Sequence, residues 1–101
     1  MLYEIKSISH KNGTPRLDGS YTSYIGRHGV IRSELESDMA LWFSFVDETE
    51  NRYVGEMVTS AVESHTGVLG KTDLIVKTAD TIYEFTPVRP KKRGKKNEAM
   101  E

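Results

Sequence analysis

Apolar and polar residues alternate along much of the chain, the period-2 rhythm of half-buried strands. Met39 to Val46 (MALWFSFV) carries the strongest signal. Met39, Leu41, Phe43 and Phe45 fall on one face; Ala40, Trp42, Ser44 and Val46 fall on the other. Apolar residues at nearly every position predict a central strand covered on part of both faces. Arg52 to Val58 reads as its hairpin partner across the charged link Asp47-Glu48-Thr49-Glu50-Asn51, with Gly55 marking a bulge or bend. Asp73 to Thr78 and Thr81 to Thr86 pair across Ala79-Asp80, and Pro87 and Pro90 stop the ladder. These segments place Leu41, Phe43, Phe45 and Val76 in the core, packed by Tyr83 or Phe85.

The remaining segments are less regular. Leu2 to Ser9 is a strand whose Ile5 face and Ile8 face compete for burial. His10 to Ser20 is a loop, signalled by Asn12-Gly13, Pro15 and Asp18-Gly19. Tyr21 to Ile25 and Val30 to Arg32 read as the second and third strands, joined by the tight turn Gly26-Arg27-His28-Gly29, whose glycines suit positive φ. Ser33 with Glu36, and Ser60 with Glu63, have capping-box spacing, so each can open one helical turn. Nothing sustains a long helix.

Six or seven short strands joined by turns define an all-β protein. The expected form is a small SH3-like or OB-like barrel or a rolled sheet, with a two-sheet sandwich as the alternative. The chain has 101 residues, enough for one domain. Residues 1–88 form the expected β domain.

Charge separates this body from the C-terminal end. Residues 1–88 carry 8 Lys/Arg against 13 Asp/Glu, a formal charge of −5. Residues 89–101 carry 6 against 2, a formal charge of +4. This end is read as a disordered basic tail, suited to an acidic partner. The overall −1 conceals the division.

There is no cysteine, which excludes disulfides, thiolate catalysis and Cys-containing metal motifs. No signal peptide or membrane-spanning run is visible, so a cytoplasmic protein is expected.

Candidate chemistry is sparse. His10, His28 and His65 follow no metal-ligand spacing. Ser60, Glu63 and His65 lack the setting of a nucleophilic serine. Gly70-Lys71-Thr72 ends like a phosphate loop, but position 65 is His instead of Gly and no long helix comes after it. Hence no enzyme activity, cofactor, metal or small-molecule substrate is expected.

Binding a protein partner, or a second copy, leads: an aromatic-rich acidic body with sheet edges offers a docking surface. Nucleic-acid binding is the alternative. It would use Tyr21, Tyr24, Trp42, Tyr53 and Tyr83 for stacking and Arg27, His28, Arg32 and Arg52 for positive potential. Lys91, Lys92, Arg93, Lys95 and Lys96 would neutralise phosphates. Three segments, Gly26-Arg27-His28-Gly29-Val30-Ile31, Val58 to Val62, and Val76-Lys77-Thr78 with Ile82 to Phe85, resemble small β-barrel accessory proteins of bacteria and their mobile elements. That resemblance implies a small accessory protein and carries over no functional residue.

Overall fold

The computed structural model describes residues 2–88. The basic segment 89–101, with Lys91, Lys92, Arg93, Lys95 and Lys96, lies outside the described residues. The strands, in chain order, are β1 (Tyr3–His10), β2 (His28–Ile31), β3 (Ala40–Val46), β4 (Tyr53–Ala61), β5 (Ser64–Thr66), β6 (Leu74–Lys77) and β7 (Thr81–Pro87). One short helix, α1 (Tyr21–Tyr24), precedes β2. All seven strands join one antiparallel sheet in the order β4-β3-β2-β1-β7-β6-β5.

The sheet does not close, which corrects the expectation of a barrel. Closure needs a ladder between the two outer strands. Here those are β4 and β5, consecutive in the chain, and no ladder joins them. The two residues between them bond to opposite ends of the sheet. Val62 N–H donates to Met39 O at 2.9 Å, beside β3, and Glu63 N–H donates to Lys77 O at 2.7 Å, on β6. The chain turns away at this corner instead of zipping shut.

The sheet is nevertheless strongly curled. Phe43 on β3 and Phe85 on β7 have ring centroids 5.4 Å apart. Two strands, β2 and β1, lie between them in the sheet order. A flat sheet would separate β3 from β7 by about 14 Å, three strand spacings. Curling brings Tyr3, Ile5, Leu41, Phe43, Val76 and Phe85 into one buried cluster, with Met57, Val62, Leu74 and Tyr83.

Bulges make the curl and settle the competition within β1. Ile5 pairs with Phe85, but Ser7 pairs with Glu84, so Lys6 is an extra residue. The extra residue reverses the in–out parity. Ile5 and Ile8, three apart, therefore both face the core and are both buried. A second bulge lies where Phe45 pairs with Gly55 and Val46 with Tyr53, leaving Val54 unopposed. Gly55 there adopts φ +152°, a conformation that favours glycine.

Four local expectations change. Tyr21 to Ile25 is not a strand; Tyr21–Tyr24 is helical. One helical turn sets residues three apart on the same side, so Tyr21 and Tyr24 both pack on the core. A strand would point them to opposite faces. Ser33 to Glu36 opens no helix; Ser33 Oγ instead accepts the Trp42 N–H at 2.9 Å. Ser60 to Glu63 opens none either, because β4 runs on to Ala61. Of the turn glycines, Gly26 has φ +85°, whereas Gly29 serves close packing of β2 on β3.

Candidate interaction site

The two sheet edges differ. β5 has three residues, Ser64, His65 and Thr66, all exposed and none strongly apolar. A short polar edge is a common protection against unwanted pairing. β4 has nine residues and, among the described residues, pairs only with β3. Its exposed side chains include Tyr53, Val54 and Val58, at 60%, 53% and 58% exposure. A long edge lined with apolar side chains presents a row of backbone donors and acceptors to an incoming strand.

Each side of this edge carries aromatic rings. On the outer face, Trp42 stands directly opposite Val58. Its indole Nε1–H donates to Glu56 Oε1 at 3.1 Å, which holds the carboxylate against the ring. Arg32, whose N–H donates to Trp42 O, lays its guanidinium over the Tyr53 ring at 5.1 Å. Trp42 is 44% exposed, although it is the only tryptophan of the chain.

On the inner side, a groove of about 290 Å³ separates β4 from α1. Glu56, Met57 and Val58 form one wall, and Ser20, Tyr21 and Tyr24 form the other, with Tyr83 also lining it. The α1 wall is braced from several directions. Ser23 Oγ donates to Ser20 O at 2.6 Å, and Tyr21 N–H donates to Asp18 O. Arg16 places its guanidinium over the Tyr21 ring at 4.4 Å, donates to Thr81 Oγ1 at 2.6 Å and pairs with Asp18 at 2.7 Å. The hydrogen bond from Arg16 holds the Asp18 carboxyl below its ordinary pKa. Tyr24 packs its ring against Phe45 at 5.3 Å. Burial pushes the Tyr83 phenol well above its ordinary pKa, and neighbouring Tyr21 adds to the effect. A tyrosine phenol is uncharged at neutral pH, so Tyr83 adds no charge to the groove.

The sequence candidates divide among three places. Arg32, Trp42 and Tyr53 come together on the outer face of β2, β3 and β4. Arg27 and His28 lie elsewhere, beside the β3–β4 turn with Asp47, Glu48 and Glu50. Arg27 sits over the Phe45 ring at 4.2 Å. His28 bridges Glu50, at 2.9 Å from Nδ1, and Glu4, at 3.3 Å from Nε2, and so clips β1, β2 and the turn together. Arg52 is exposed at the hairpin end, and its carbonyl accepts the Asp47 N–H. Of the tyrosines, Tyr21, Tyr24 and Tyr83 line the groove. Sequence reasoning did not single out Val58, Glu56 or the groove itself. The i, i+3 spacing of Tyr21 and Tyr24, just after Asp18-Gly19-Ser20, was the available signal.

Among the described residues, no group of three or more His, Asp or Glu side chains is arranged to hold a metal ion. No helix among them is long and apolar enough to cross a membrane. No family model, curated protein or solved structure matches the chain.

Proposed function

We propose that the protein is a non-enzymatic binding module that takes an extended segment of a protein partner as an added strand on β4. The observation that carries this reading is the open nine-residue β4 edge, flanked outside by Trp42 and inside by the tyrosine groove. Strand addition draws affinity from backbone hydrogen bonds and selectivity from pockets for alternate side chains. β4 offers both features. A second support is the contrast with β5, an edge short and polar enough to discourage pairing.

The test begins with selection of short random peptides on the purified full chain. Binding is then measured by Trp42 emission and repeated with Val58→Lys. Val58 is exposed, so the lysine should leave the fold intact while placing a charge on the edge. The expected result is a set of extended peptides that shift the emission of Trp42 and lose most of their affinity for Val58→Lys. Peptides that bind both forms equally would refute strand addition on β4. Single-stranded DNA and RNA are titrated in parallel across a salt series. Tight, salt-sensitive binding that depends on Arg32 and Trp42 but not on Val58 would favour the nucleic-acid alternative.

A further inference from the structure

We infer that β4 selects an antiparallel segment with a three-residue pattern: from its N-terminus, a β-branched apolar residue, a large apolar or aromatic residue, then a basic residue. The inference rests on the strand-addition reading and names the chemistry of the partner. In an antiparallel pair, directly opposed residues share a face, and successive residues alternate between faces. Val58, Met57 and Glu56 therefore each meet one residue of the incoming strand, in that order.

Opposite Val58, the incoming side chain lies outward in line with Val58 and Trp42. A β-branched apolar residue there extends an apolar row across three strands. Opposite Met57, the side chain turns inward. Met57 is buried, and the groove beside it is walled by Tyr21 and Tyr24. Those two rings meet edge to face, 6.4 Å apart at 88°. A volume of about 290 Å³ accepts one large side chain. Glycine would leave it unfilled, and an acidic residue would be desolvated against the Tyr21, Tyr24 and Tyr83 rings with no cation among the described residues lining the groove.

Opposite Glu56, the outward side chain meets a carboxylate held in place by Trp42 Nε1. The cation of that face, Arg32, lies over Tyr53, and among the described residues no ion pair joins it to Glu56. The β body as a whole is also acidic, at −5. A lysine or arginine is complementary here, whereas an acid directly opposite is repelled. A second copy of β4 does not supply this chemistry. In antiparallel register about Met57, it sets Val58 opposite Glu56 and provides no basic residue.

The experiment uses short capped peptides titrated into the full chain and read by Trp42 emission. One peptide carries the pattern, one has glutamate in place of the basic residue, and one has glycine at the middle position. All three are repeated with Glu56→Lys, after circular dichroism shows that this exposed substitution leaves the fold unchanged. The expected result is about fivefold to thirtyfold weaker binding of the glutamate peptide. Glu56→Lys should invert that preference, and the glycine peptide should bind more weakly to both forms. Equal affinity for the basic and acidic peptides, or a preference that Glu56→Lys leaves in place, overturns the inference. If peptides lacking the pattern bind in a Val58-dependent way, the inference falls while strand addition stands. If no peptide binds, the strand-addition reading itself falls.

Discussion

Replacing Gly29 with alanine tests how closely β2 approaches β3. Gly29 is buried, opposite Tyr3 on one side and Phe45 on the other. A methyl group there would sit 2.5 Å from Phe43 Cε2 and 2.8 Å from Cζ, and would also strike the Ser44 carbonyl oxygen. Carbon atoms in contact prefer about 3.5–4.0 Å, so the ring must retreat by about 1 Å. Phe45 and Phe85 hem it in, with centroids 5.5 Å and 5.4 Å away. Overpacking of this kind costs about 1–3 kcal/mol, and the backbone obstacle places Gly29→Ala toward the upper end. For a domain of this size each kcal/mol lowers the melting midpoint by about 4–8 °C, so a fall of about 10–20 °C is expected. Urea denaturation and thermal melts both read the change. In the double variant with Phe43→Leu the loss should be smaller than the sum of the single losses, because the leucine lacks the obstructing ring atoms. A Gly29→Ala midpoint indistinguishable from wild type would refute this account of β2–β3 packing.

Phe43→Ala should cost about 3–5 kcal/mol in a urea titration, because the ring is fully buried among Phe45, Phe85 and Leu41. Trp42→Ala should change stability by much less, since the indole is partly exposed, yet should weaken any peptide that binds through Val58; calorimetry separates the two effects. Asp47 is held below its ordinary pKa, chiefly by the hydrogen bond from Thr49 Oγ1 at 2.8 Å. A depressed folded-state pKa gives stability that is present above the unfolded value, about 4, and is lost as pH falls through the folded value. Asp47→Asn should therefore flatten the acid limb of a pH-dependent melting series, and an unchanged limb would remove Asp47 from the account. Deleting residues 89–101 should leave peptide binding to β4 unaltered in the Trp42 assay.

Much of the fold was legible because burial writes itself into alternation. Leu41, Phe43 and Phe45 are buried as their spacing predicts, and so are Val76, Tyr83 and Phe85. The failures have specific causes. Closure depends on whether β4 and β5 exchange hydrogen bonds, and side-chain period carries no information about that. The bulge at Lys6 was hidden because two candidate faces, Ile5 and Ile8, looked like rivals when both were core. Tyr21 to Tyr24 has the composition of a strand, but packing chose one helical turn so that both rings reach the core. The site was harder to read. Val58 is a commonplace strand residue, and only the sheet order reveals that it lies on an edge.

The place of β1 has a consequence for how the chain acquires its structure. β1 is the first strand of this sheet in chain order, yet it sits mid-sheet between β2 and β7, with Tyr3 opposite Pro87 and His10 opposite Thr81. Val88 N–H also donates to Leu2 O at 2.9 Å. On a ribosome, the hairpin of β3 and β4 can form while later strands are still being made. β1 must wait until β7 has emerged before its second ladder exists. Until then the apolar sides of Tyr3, Ile5 and Ile8 have only part of their cover. Pairing across so long a stretch of chain is entropically slow, as in other domains dominated by distant contacts. The last strand of the sheet to leave the ribosome is thus the one that completes the pairing of the first.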